Sequence, residues 1–261
     1  MKKYQTIEYE EKESIFTIYL NRPEVHNAFN DIMISELTDC FTKVGRMENV
    51  RVVVLRGRGK SFCAGADLNY MKGIAQFGYQ ENFEDGKKLA NLFETIYSCP
   101  KPTIAVVHGA AFGGANGLLA ACDIVIAEVN TTFAFSEVKI GISPATIGPY
   151  VLKRIGEYGG KELMMTGKRF KGKDAEKFGL LNKSVESGEI EPVLEEYIKQ
   201  FMTAAPKAVE ATKEMINKII ENKLAEPREY TADLIAKLRA AGEGQEGMAA
   251  FLEKRKPGWV K

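Results

Sequence analysis

Between Pro102 and Cys122 the chain carries no Asp, Glu, Lys or Arg. A stretch of that length without charge belongs either in a bilayer or at the centre of a fold, and each choice dictates what surrounds it. Pro102, His108 and Asn116 interrupt the run, as do Gly109, Gly113, Gly114 and Gly117. That punctuation reads as a buried strand, a glycine-rich turn and a buried helix rather than as a membrane span.

The flanking sequence agrees with an α/β fold. Tyr4–Glu10 and Ser14–Leu20 read as paired strands, and Asp31–Arg46 repeats apolar residues at helical spacing behind an Asn30 cap. Val52–Leu55 is a short buried strand, a helix is expected over Gln80–Tyr97, and Thr103–Val107 and Ile124–Ala127 are two further strands. Beyond Glu189 the pattern is helical: Val193–Thr203, Pro206–Asn222, Pro227–Ala240 and Gln245–Lys254. The expected organisation is a core over residues 1–195 and a helical region over 196–261 that packs on the core or on another subunit.

Composition narrows the function classes. Lys and Arg total 36 against 35 Asp and Glu, so the net charge of +1 supplies no field for nucleic acid or an anionic membrane. The four cysteines form no CxxC pair and there are only two histidines. A zinc site or a disulfide framework has little to build on, no metal is expected, and a reducing, cytoplasmic compartment fits. The residues after Met1 are charged and alternating, without the apolar centre of a secretory signal.

Two glycine turns carry the chemical signal. Phe62–Leu68 reads FCAGADL after the Val52 strand, and His108–Gly117 reads HGAAFGGANG after the Thr103 strand. Each follows a strand and enters a helix, where backbone N–H groups lack helical partners and point at whatever lies in front. Two such turns brought together would make the donor pair of an oxyanion hole. The plainer reading is that the glycines only permit tight turns. A dinucleotide fingerprint does not fit, because GxGxxG laid on Gly114 and Gly117 needs glycine where Phe112 stands.

With these turns go Asn21-Arg22-Pro23, Asn27-Ala28-Phe29, Lys101–Ala105, Ala121–Ile124, Phe135–Val138, Thr166-Gly167-Lys168, Asp174-Ala175 and Phe251–Arg255. In these ordered pieces, spread over essentially the whole chain, the sequence resembles the crotonase superfamily, the enoyl-CoA hydratases and isomerases. The resemblance implies a crotonase-like spiral of ββα units with a C-terminal helical trimerisation region, a homotrimer or dimer of trimers, and an acyl-CoA thioester as substrate. Coenzyme A would be part of that substrate, with no separate cofactor. It implies that the backbone N–H groups of Ala66 and Gly114 polarise the thioester carbonyl. It also implies that Val25, Ala64, Asp67 and Leu68 line the coenzyme A groove, with Phe251 and Lys254 near the adenine and phosphates from the same or a neighbouring subunit.

The sequence departs from that pattern at Gly117, where the common short-chain hydratases carry a glutamate; only the second carboxylate, Glu137, is kept. Set near Phe133, Phe135 and Val138, Glu137 is the candidate general acid/base, since burial raises a carboxyl pKa toward a useful range. One glutamate suffices to hydrate an enoyl-CoA or to shuttle a proton in an isomerase, and the Asn116 side chain beside Gly117 either holds a water or points away. The runs GADLNYMK, SEVKIGISPATIGPY and GQEGMAAFLEKRKPGW are similar to methylglutaconyl-CoA hydratases of leucine degradation, which favours hydratase over isomerase. Some of those proteins also bind RNA, against which the balanced charge argues here. Thioester hydrolysis and an inactive scaffold are the remaining rivals.

Six other side chains have two readings each, and one segment is singled out. His26 and His108 lie at turns where acid/base work is a secondary option; Cys63 and Cys122 read as small core residues rather than nucleophiles. Tyr70 and Met71 line an acyl pocket or pack in the core, and Gly73–Gln80 is a candidate mobile wall.

Overall fold

The structure, a computed structural model, describes residues 3–260. Its strands are β1 (Ile7–Lys12), β2 (Ile15–Leu20), β3 (Val52–Gly57), β4 (Thr103–Val107), β5 (Ala110–Phe112), β6 (Ile124–Glu128), β7 (Thr132–Ala134), β8 (Arg169–Lys171) and β9 (Lys183–Val185). The helices are α1 (Asp31–Val44), α2 (Leu68–Ile74), α3 (Tyr79–Tyr97), α4 (Ala115–Ala121), α5 (Gly148–Thr166), α6 (Gly172–Lys177), α7 (Ile190–Thr203), α8 (Pro206–Ile220), α9 (Pro227–Ala240) and α10 (Gly242–Leu252).

The expected strand pair is an antiparallel hairpin, Ile7 facing Leu20. It borders a six-stranded sheet in the order β1-β2-β3-β4-β6-β9, parallel from β2 onward. A parallel sheet has to be covered on both faces, and the alternation along its strands divides them. Val53, Leu55, Ala105, Val107, Val125 and Ala127 face the main core, built with residues of α1, α3, α4 and α5. Val52, Val54, Ile104, Val106 and Ile126 face the other way, onto Ile190 and Leu194 of α7.

The charge-free run resolves into β4, β5 and α4, a strand, a turn region and a buried helix as expected, and no helix among the described residues is long and apolar enough to cross a membrane. The Asn30 cap is also present, its side chain accepting from the Met33 N–H. The sequence pattern did not mark β5, β7 and β8, which form a second, three-stranded sheet, nor β9, α2, α6 and the 19-residue α5. A strand of three residues carries too little pattern to be told from a loop. Helix α7 runs unbroken past position 195. The C-terminal segment is anchored at the start of β3: Arg51 donates to the carbonyls of Phe201, Met202 and Trp259, and the Trp259 indole donates to Thr203. Both glycine turns leave the sheet at the opposite end of the strands.

Candidate active site

The small second sheet is what brings the two glycine turns together. Cys63 pairs in parallel with Ala111, through Cys63 N–H to Ala110 and Phe112 N–H to Cys63, and Ala66 pairs with Phe29. The segments around 29, 64, 111, 133 and 170 therefore lie side by side. Phe29 N–H donates to the Gly65 carbonyl and Asp67 N–H to the Phe29 carbonyl. Neighbouring residues of an extended segment alternate sides, so the Ala66 N–H points away from Phe29, toward the second turn. Gly113 N–H is spent on the Ala134 carbonyl. Among the described residues, neither the Ala66 nor the Gly114 N–H has an acceptor.

Glycine is required at this junction by close approach. A β-carbon on Gly114 would sit 2.6 Å from Cζ of Phe29, and one on Gly65, whose φ is +94°, would sit 2.8 Å from the Phe112 carbonyl oxygen.

Glu137 arrives from the second sheet, on a 3-10 turn over Ser136–Ile140 that follows β7 and is closed by Gly141 in the left-handed region. Its carboxylate lies against Gly113: a β-carbon on that glycine would be 3.3 Å from Oε1 and 3.9 Å from Oε2. Oε2 is shielded from water and has no hydrogen-bond partner. Burial pushes the carboxyl pKa up, opposed only in part by a bond from its own backbone N–H. A carboxyl with a raised pKa thus stands beside the turn that presents the Gly114 N–H.

Gly117 lies in the first turn of α4, three residues after Gly114, and is boxed in. A β-carbon there would meet Cγ2 of Ile147 at 2.5 Å and Cζ of Phe93 at 2.6 Å. The position where the resemblance leads one to look for a second glutamate is filled by two apolar side chains, and the carboxylate against the second turn is that of Glu137. Phe93 and Ile147 had no signal in the sequence, because each comes from an element distant in the chain.

Asp67 departs from its expected place as groove lining. Its buried carboxylate faces inward, paired with Arg22 at 2.8 Å and capping α2 through the Asn69 and Tyr70 N–H groups. Burial alone would raise its pKa; the bonds from Arg22 and those N–H groups outweigh this and hold it below the usual carboxylate range. Leu68, 75% exposed, and the half-buried Val25 and Ala64 remain on the accessible side of the turn. Phe251 and Lys254 are exposed on or just after α10, which packs on α8 and α9 by the far end of the strands. Within one chain they do not join the turns.

Asn116, whose side chain could hold a water or point away, is fully buried, its amide nitrogen donating to the carbonyls of Ala111, Gly113 and Ala134. His26 and His108 bond Ser61 and the Gly59 carbonyl. Burial raises the Cys63 and Cys122 thiols to about 12, as inert core residues require. The Tyr70 hydroxyl is tied to Asp85 of α3, and the segment expected to be a wall is the end of α2 and its link to α3.

Comparison with known proteins places this architecture. The family model described as "Enoyl-CoA hydratase/isomerase" matches residues 10–261. A curated relative named crotonyl-CoA hydratase, from Syntrophomonas wolfei, is 32% identical, with 98% of each chain covered. Among solved structures, AtuE of Pseudomonas aeruginosa superposes with a TM-score of 0.95 at 34% identity, covering 98% of this chain and all of that one (100%). An enoyl-CoA hydratase of Shewanella pealeana gives a TM-score of 0.93 at 33% identity, over 98% of this chain and 96% of its own. With the same fold over nearly its full length and a family match across both glycine turns and Glu137, the chain belongs to the enoyl-CoA hydratase/isomerase family.

Proposed function

We propose that this protein adds water to the 2,3 double bond of an enoyl-CoA thioester. The observation that carries the reading is the position of Glu137, a buried carboxylate with an unpartnered oxygen, against the turn that presents a free Gly114 N–H. The thioester oxygen accepts from Ala66 and Gly114, which stabilises the negative charge that develops there when water attacks C3; each such donor is worth about 3 kcal/mol of transition-state stabilisation. Glu137 takes one proton from the attacking water and returns it to C2. The second water proton stays on the new hydroxyl, and the product is a 3-hydroxyacyl-CoA. Its raised pKa suits it to both transfers.

The coenzyme A moiety runs past Val25, Ala64 and Leu68, with the Asp67 turn as backbone support. Phe251 and Lys254 reach it from a neighbouring copy. The exposed apolar residues of the region after 195, including Ile216, Ile219, Ile220, Ile235, Phe251 and Leu252, are consistent with its role in assembling a trimer or a dimer of trimers. For the acyl group, 3-methylglutaconyl-CoA is our proposal, on the strength of the sequence runs alone. A second reading, enoyl-CoA isomerisation with Glu137 carrying a proton between two carbons, is favoured by the apolar filling at Gly117.

Incubation with crotonyl-CoA, 3-methylglutaconyl-CoA and a 3-enoyl-CoA in heavy-oxygen water separates these readings by mass spectrometry. Oxygen uptake is expected; double-bond migration without it would make the protein an isomerase, and release of free thiol a hydrolase. In the same assay Glu137→Gln should lower turnover by about 10²- to 10⁴-fold with thioester binding kept. Unchanged turnover removes Glu137 from the mechanism.

A further inference from the structure

Helix α4 is buried along its whole length, and all of its side chains but one are apolar or absent. The exception is Asn116. A buried amide gives up its hydration and recovers it only through hydrogen bonds. The Nδ2 atom donates to the carbonyls of Ala134 at 3.0 Å, Gly113 at 3.1 Å and Ala111 at 3.3 Å. The reversed amide would set an oxygen against three carbonyl oxygens, so the orientation is determined. Oδ1, on the other side, is buried without a partner. A leucine of similar volume would fill the space and leave no such orphan.

At least two of the three bonds do not rescue stranded carbonyls. The Ala134 carbonyl already accepts from the Gly113 N–H and the Gly113 carbonyl from the Asn116 N–H, each at 2.9 Å. What the amide adds is a joint between three backbone segments: β5, the turn at Gly113, and the last residue of β7. Gly113 immediately precedes the Gly114 N–H, and Ala134 lies three residues before Glu137.

We infer that Asn116 is a positioning residue that holds the Gly114 N–H in register with the Glu137 carboxylate, so that the carbonyl oxygen and C2 of one bound thioester meet both groups at once. It touches no substrate. The inference rests on the reading of Gly114 as an oxyanion donor, and it differs from a packing role in what it predicts. Loss of the amide should weaken polarisation of a bound thioester and slow turnover while leaving the fold and thioester binding in place.

The test uses hexadienoyl-CoA, whose near-ultraviolet band moves to longer wavelength when its carbonyl oxygen accepts hydrogen bonds. The full-length wild type, Asn116→Leu and Glu137→Gln are compared for band shift, kcat and KM, with thermal melting to confirm folding; Asn116→Ser replaces the leucine variant if that does not fold. The wild type and Glu137→Gln should shift the band. The Asn116 variant should bind the probe with a smaller shift, and its kcat should fall about 100-fold with KM kept. A variant that melts lower but shifts the band and turns over like the wild type overturns the positioning role. A wild type that binds the probe without any shift overturns the oxyanion reading itself, and with it this inference.

Discussion

The two turns that present unpaired N–H groups are built from opposite materials. The first is held by charge: Asp67 caps α2 and pairs with Arg22, whose guanidinium also donates to the Ala28 carbonyl. The second is held by packing and a neutral amide, with Phe29 against Gly114, Phe93 and Ile147 against Gly117, and Asn116 across three carbonyls. Location explains the choice. The first turn opens α2 beside the exposed Leu68, where the helix terminus and the Arg22 guanidinium stabilise a carboxylate. The second opens a helix that is wholly buried, where an unpaired charge would cost several kcal/mol. The packed turn thereby brings no charge to Glu137, the carboxyl proposed to move a proton.

The largest effect that would break this comparison is expected at the packed turn. Gly114→Ala drives a methyl into the Phe29 ring, 2.6 Å from Cζ, and the backbone shift that relieves it moves the donor. Turnover should fall about 10²- to 10³-fold and stability by about 1–3 kcal/mol, read by steady-state kinetics and urea unfolding. A variant with near wild-type turnover would show that this N–H is not used.

Next comes Gly117. Gly117→Ala places a methyl between Ile147 and Phe93 and should destabilise by about 1–3 kcal/mol through overpacking, with no gain in activity. A gain of hydratase turnover in Gly117→Glu would contradict the filled space at this position and sharpen the case for a movable Phe93.

The smallest effects distinguish the turns by pH. Because the Asp67 pKa is held below the usual range, its contribution to stability is present at neutral pH and is lost as pH falls through the folded value. Asp67→Asn should therefore be less stable than wild type by about 1–2 kcal/mol at neutral pH and converge on it in acid. Glu137, raised by burial, runs the other way. Its contribution is complete below the usual carboxylate range and fades as pH rises, so Glu137→Gln should gain relative stability toward neutral pH. Urea titrations at a series of pH values check both signs; parallel slopes would mean that the two carboxyls share one kind of environment.

Much of this was legible in the residues. The absence of charge from Pro102 to Cys122 required a buried strand and helix, and β4 and α4 are those elements. Apolar spacing with Asn30 as its cap defined α1, and the ordered family motifs placed Ala66, Gly114 and Glu137 in one protein. These features are local, or repeat at the period of a helix or strand, so a one-dimensional pattern carries them.

Other features waited for the tertiary structure. Whether Asp67 faced a ligand or Arg22, and which backbone carbonyls the Asn116 amide reached, depended on segments far apart in the chain. Phe93 and Ile147 met at Gly117 only once α3 and α5 had packed on α4. The chain by itself determined its elements, its buried run and the residues able to do chemistry. Which of those residues face each other was decided by packing, because the direction of a side chain is set by the neighbours that exclude it from every other place.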